Sequence, residues 1–154
     1  MTATIRKSDP VTSFINGRPL ATGSGLTFAN IYPGSGDELG VVEQTSAAAV
    51  TDAIKSSQRA QGDWAKLSGV ERGRILLKTA ALLRERNDTL AAQEVWDTGK
   101  PIQEALTVDV HSGADALEYF GGLAAGMKGD HYQLGDDFAY TRREPLGVIA
   151  GIGA

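Results

Sequence analysis

Hydrophobic and polar positions change their period along the chain, and the changes mark its elements. In the first 45 residues, Ser13-Phe14-Ile15, Leu26-Thr27-Phe28-Ala29-Asn30-Ile31-Tyr32 and Leu39-Gly40-Val41-Val42 mix apolar and polar residues over a few positions. Their β-branched and aromatic side chains suit a half-buried pleated surface. Asn16-Gly17, Gly23-Ser24-Gly25 and Pro33-Gly34-Ser35-Gly36-Asp37 separate them with turn chemistry. The pattern predicts a small antiparallel meander.

From Ser46 the period becomes helical, with Ala49, Val50, Ala53, Ile54, Ser57, Ala60 and Trp64 recurring at intervals of three and four. A second helix is expected to begin at about Gly69, because Ser68 and Glu71 stand at capping-box spacing. It carries Ile75, Leu76, Ala80 and Leu83 on one side and Arg72, Lys78, Arg84 and Glu85 towards water, until Asn87-Asp88 interrupts it. Asn87 is expected to cap a further segment through Glu94 and Trp96, and Gly99 to stop it in the left-handed conformation. Pro101 suits the first turn of the next helix, which runs with some irregularity through Leu106, Val110, Ala114 and Leu117 to Phe120. Tyr32, Trp64, Trp96, Tyr119 and Phe120 fall at or near periodic apolar positions, so each is expected in the core.

Beyond Gly126 the chain turns extended again. Phe138 to Arg143 alternates until Pro145, after the solvated turn expected at Asp136-Asp137. Leu146 to Ala154 is nearly all apolar, as a strand buried on both faces of a parallel sheet reads. Such a strand needs a crossover and a parallel neighbour, so the pattern is that of the N-terminal piece of a longer α/β protein. Taken alone, 146–154 is expected to be poorly protected.

With 154 residues, 42% hydrophobic and 22% charged, the chain has material for a folded core. Fifteen basic residues against nineteen acidic give a net charge of -4 and no basic block, which argues against a nucleic-acid partner. No apolar run approaches the ~20 residues of a membrane span, and no signal peptide precedes the first strand, so a cytoplasmic location without membrane contact is expected. The absence of cysteine removes disulfides, thiolate metal sites and any thiol nucleophile from this chain. Gly99-Lys100 fails as a phosphate loop because Pro101 replaces the required hydroxyl residue. His111 and His131 have no third partner at metal spacing and read as surface or turn residues.

Several segments carry a resemblance: FANIYPGSG (28–36), ERGRILLKTA (71–80), LLRERN (82–87), EVWDTGKP (94–101), LEYFGGL (117–123) and YTRREPLGVIAGIGA (140–154). Together they resemble the start of an NAD(P)-dependent aldehyde dehydrogenase, and within that superfamily the betaine aldehyde dehydrogenases. The resemblance implies residues 1–129 as the N-terminal part of a cofactor-binding domain and 130–145 as strands of an oligomerisation arm. Residues 146–154 would be the first strand of a Rossmann-like dinucleotide fold, cut short. It implies oxidation of a small aldehyde, betaine aldehyde to glycine betaine, with NAD or NADP, by a homo-oligomer, dimer or tetramer. The family's catalytic cysteine, general-base glutamate and glycine-rich loop would all lie past residue 154, so no catalytic residue is expected within it.

Two sets of site residues come from matching positions. Gly153 and Ala154 match the start of the segment along the nicotinamide side of the cofactor, where small residues let backbone approach a ligand. On residue pattern alone they simply end a buried strand. Asn30, Ile31 and Asp97 match positions that bind potassium inside the subunit, through two backbone carbonyls and a carboxylate. Hard cations want oxygen, and a carboxylate in a helix's last turn is relieved by a cation. Without the resemblance, Asp97 is a surface residue near a helix end. Two other readings stay open: a sister enzyme acting on another aldehyde, and a short assembly module using the 138–143 strand.

Overall fold

The computed structural model describes residues 10–20 and 24–153. Its first reversal is set by Asn16 and Gly17, both in the left-handed region at φ 54° and 76°, as a two-residue hairpin turn requires. They fold β1 (Ser13–Ile15) onto β2 (Arg18–Leu20), with Phe14 opposite Pro19. A second hairpin joins β3 (Thr27–Ile31) to β4 (Glu38–Glu43), and the Tyr32 N–H to Asp37 carbonyl bond closes its loop at 2.8 Å. The register shifts between Asn30 and Ile31, leaving Leu39 as an extra residue on β4.

The expected meander is therefore corrected to two hairpins, and β2 is a strand that the pattern did not reveal. Pro19 takes an amide out of β2, which then offers β3 no complete ladder. Val11 makes the link instead: it pairs in parallel with Val42, donating to the Val41 carbonyl and accepting from the Glu43 amide at 2.9 Å each.

Ser46 caps α1 (Ala47–Lys66) by accepting from the Ala49 amide at 3.2 Å. The Ser68–Glu71 capping box opens α2 (Gly69–Glu85) as expected: Ser68 Oγ accepts from the Glu71 amide and the Glu71 carboxylate from the Ser68 amide. Those hydrogen bonds, the side chain's first and then the backbone's, hold the Glu71 carboxyl below its ordinary range. Next come α3 (Asn87–Thr98), a short α4 (Ile102–Glu104), a π-helical turn at Ala105–Asp109 and α5 (Val110–Leu123). The π turn is the irregularity in the fourth apolar pattern. Asn87 does not cap α3; its side-chain amide donates to the Leu106 carbonyl at 3.0 Å, which fastens α3 to the π turn.

Small residues hold the helices together. Ala80, Ala91, Ala105 and Ala114 are 1% exposed or less, and Gly73 and Gly121 are buried between α2 and α5. A methyl group at Gly73 would lie 2.5 Å from the Gly121 carbonyl oxygen, and one at Gly69 would lie 2.1 Å from that of Ala124. The two backbones thus touch where glycine permits. Arg84 clamps the other end, reaching Asp115 at 2.7 Å and Glu118 one turn further along α5. Both hydrogen bonds, that to Asp115 first, raise the guanidinium's pKa.

The large side chains expected inside are mostly outside. Trp64, Trp96, Tyr119 and Phe120 are exposed, and Tyr32 is half-buried. On α1 only Ala49 of the apolar stripe is buried, while Val50 and Ile54 face solvent. Periodicity finds the faces only in part: Ala80 and Ala114 are buried as expected, but Ile75 is exposed, and Arg84, expected towards water, is turned onto α5 because its carboxylate partners lie there. Beyond α5, β5 (His131–Leu134) pairs with β6 (Asp137–Tyr140) around Gly135 at φ 71°, and His131 stacks on Phe138 at 5.6 Å. Asp130 and Thr141 close the base of this hairpin with two 2.8 Å bonds.

The parallel strand expected at 146–154 is not formed. Residues 146–153 carry no strand and are exposed, because no described strand lies beside them to complete a ladder. Ala154 lies outside the described residues. No helix among those described is long and apolar enough to cross a membrane.

Two measurements check the helix contact and the cap. Gly73→Ala is expected to lower the melting temperature by about 3 to 8 °C, since the clash with backbone outweighs the helix propensity gained. Gly113→Ala, in open space on α5, should raise it by about 2 °C. Equal melting of parent and Gly73→Ala by circular dichroism contradicts the close contact. For Glu71, whose folded pKa is lowered, the capping contribution is complete above about pH 5 and is lost as pH falls through the folded value. Glu71→Gln should therefore show a shallower loss of stability than the parent between about pH 5 and 3. An identical slope speaks against the box.

Candidate functional site

Gly99 ends α3 at φ 72°, its N–H bonded to the Val95 carbonyl at 2.8 Å. The same glycine lets the helix end meet the β3–β4 loop, because a methyl group there would lie 3.0 Å from Pro33 Cβ. This approach sets Asp97 beside β3. The Asn30 Nδ2 donates to Asp97 Oδ1 at 2.9 Å, joining residues 67 apart in sequence. Ile31 comes next on the strand, where the ladder changes register.

The electrostatics of this helix end are lopsided. Asp97 sits in the last turn of α3, where backbone carbonyls already concentrate negative potential, and that turn holds no basic residue. Lys100, the nearest cation in sequence, is committed elsewhere: its ammonium lies 2.6 Å from Asp109 and 3.8 Å from Glu94. The hydrogen bond to Asp109 is the largest influence raising its pKa. Among the described residues Asp97 has no ion pair, only the neutral amide of Asn30. Asp97 also lines a groove of about 470 Å³ between α3 and α5, with Leu83, Leu90, Glu94, Asp109 and Val110.

The contact at this corner is that of the Asp97 carboxylate with the Asn30 amide, on a helix end whose own carbonyls are electronegative. A carboxylate suits a hard cation, and Asn30, Ile31 and Asp97 include no thiol or hydroxyl nucleophile. No cluster of three His, Cys, Asp or Glu side chains able to hold a metal occurs among the described residues, so any ligation depends on backbone carbonyls. Of the expected site residues, Asn30, Ile31 and Asp97 share this corner. Gly153 lies far along the exposed final segment, where a methyl group would meet nothing within 4 Å, and Ala154 is not described. His111 and His131 are both exposed.

Sequence reasoning misses three interactions. The Lys100–Asp109 pair spans the Pro101 break, so helical spacing does not reveal it. The Arg84 clamp does show a signal, since Asp115 and Glu118 stand three apart on one helix face. The Asn30 side-chain bond to Asp97 joins a strand to a helix end, and no local spacing announces it.

Comparison with known proteins bears on this geometry. Residues 21–154 match the model of the aldehyde dehydrogenase family. The chain is 48% identical over 154 residues to a betaine aldehyde dehydrogenase of Agrobacterium fabrum, covering 99% of this chain and 31% of that protein. It thus spans about a third of the length of the curated relatives it matches. Among solved structures it is similar to an aldehyde dehydrogenase from Bacillus cereus, with a TM-score of 0.84 and 31% identity over 90% of this chain and 29% of the other. An NAD-dependent aldehyde dehydrogenase from Sinorhizobium meliloti is also similar, with a TM-score of 0.78 and 31% identity over 86% and 27%.

Proposed function

The chain belongs to the aldehyde dehydrogenase family, and from that premise we propose that the whole protein oxidises betaine aldehyde to glycine betaine with NAD. The observation that carries the substrate is the 48% identity to a betaine aldehyde dehydrogenase along 99% of the chain. The NAD-dependent relative supports the cofactor. NAD, when bound, supplies the hydride acceptor, and water supplies the second carboxylate oxygen. None of the 154 residues is a cysteine, so these residues provide scaffold, not the thiol nucleophile that the family resemblance implies. The described residues form no cradle around Gly153, and no step is assigned to it. We assign Gly153 and Ala154 to the nicotinamide-side segment on sequence match alone.

The same reading takes the β5–β6 hairpin as an arm that pairs with a second copy in a cytoplasmic homo-oligomer. Its support is the exposure of Leu134, Phe138 and Tyr140, at 61, 64 and 69%. Asn30, Ile31 and Asp97 would hold a potassium ion, the carboxylate contributing charge and the two backbone carbonyls further oxygens. The unrelieved carboxylate at the end of α3 supports that assignment.

A chimera tests whether this chain serves as the scaffold of a betaine aldehyde dehydrogenase. With this chain in place of the matching first third of the Agrobacterium fabrum enzyme, NADH formation from betaine aldehyde is expected to stay within about tenfold of the parent, a barrier change of about 1.4 kcal/mol. A folded, NAD-binding chimera that oxidises other aldehydes but not betaine aldehyde refutes the reading. The cation is tested on the chain itself. Saturating potassium should raise its melting temperature by about 3 °C over equal lithium, and Asp97→Asn should keep the fold and lose that difference. An unchanged potassium effect in Asp97→Asn removes Asp97 from the site.

A further inference from the structure

We infer that the Asn30 side chain is a positioning residue for cation binding, fixing the Asp97 carboxylate in its ligating orientation. The inference rests on the potassium reading and adds to it, since that reading uses only the backbone carbonyl of Asn30. The Nδ2–H group donates to Asp97 Oδ1 at 2.9 Å, which restrains the carboxylate while its other acceptor positions remain available. Asp97 is exposed and sits on a helix end that repels it, so without a partner its side chain is drawn towards water. The amide is neutral. It restrains the carboxylate without supplying the positive charge that would make a cation unnecessary, as a lysine or arginine at position 30 would do.

Two features of the fold make the restraint effective. The Pro33–Gly99 contact fixes how close the helix end comes to the loop. The register shift between Asn30 and Ile31 lies at the residue that donates. Lys100, which could compete for Asp97, is held by Asp109 at 2.6 Å. Asn30 is therefore the group among the described residues that ties this carboxylate to the strand.

The test measures melting temperature against potassium concentration, balanced with lithium chloride, for the parent chain, Asn30→Ala and the near-isosteric Asn30→Leu. Both variants keep the backbone carbonyl. The expected result is that each still responds to potassium but needs about 10-fold more to reach half the effect, as when an outer partner of a metal ligand is removed. An unchanged or lower midpoint in a folded variant overturns the positioning role, because the amide would then be idle or a competitor. A parent that responds to lithium and potassium alike overturns the potassium reading itself, and this inference with it. The Asn30 side-chain amide signal in nitrogen–proton NMR supplies a readout free of any variant. It should shift with potassium at the same midpoint as the melting temperature; a stationary signal refutes the inference.

Discussion

The backbone contact between α2 and α5 is the constraint on which the other features depend. At Gly73 and Gly121 the helices approach until a single added methyl group would collide with a carbonyl oxygen, and Gly69 and Ala124 repeat the contact one turn away. Close approach brings Ala80 and Ala114 into a layer where neither retains more than 1% of its surface. Dispersion between backbones replaces the interlocking of large side chains, and this geometry tolerates no increase in volume. The capping box completes the amides at the start of α2, and the Arg84 clamp near its end ties it to α5 at Asp115 and Glu118.

The helix pair positions α3 and, through it, the corner where Asp97 meets Asn30. The π turn carries Ala105 and Leu106 against α3: Ala91 and Ala105 are fully buried, and the Leu106 carbonyl accepts from Asn87. α3 is thereby aimed at the β3–β4 loop. Its end is fixed by Gly99, and the packing of Pro33 on that glycine brings Asp97 to Asn30. The corner is thus a consequence of helix packing on one side and a strand register shift on the other. Among the described residues its carboxylate has no positive partner, and the nearby Lys100 is held by Asp109 across the Pro101 break.

Local chemistry is the legible part of the sequence. The Ser68–Glu71 box, the left-handed stop at Gly99 and the turn at Asn16-Gly17 each place a strong conformational preference at one or two residues, and each stands where its residues predict. Long-range pairing is not legible. Pro19 sits in a strand that no pattern announces, Asn87 gives its amide to Leu106 instead of to its own helix, and the meander divides into two hairpins. Aromatic residues on periodic faces suggest a core, yet the interior is built from alanine and glycine, whose apolar area gives only a weak periodic signal. The apolar run at 146–154 has the composition of a buried strand but no described neighbour to pair with. For the site, the family resemblance brings Asn30, Ile31 and Asp97 to notice, while the bond from the Asn30 side chain to Asp97 is visible only in the fold.

Amide hydrogen exchange across the whole chain tests whether α2 and α5 form one cooperative unit from which the rest is positioned. If they do, the slowest amides lie in 73–85 and 114–121, open with a common free energy, and outlast those of α1, β5 and β6. Residues 146–153 should exchange at nearly the rate of an unstructured chain. Independent opening of α2 and α5, or protection across 146–153 equal to that of α2, would contradict it.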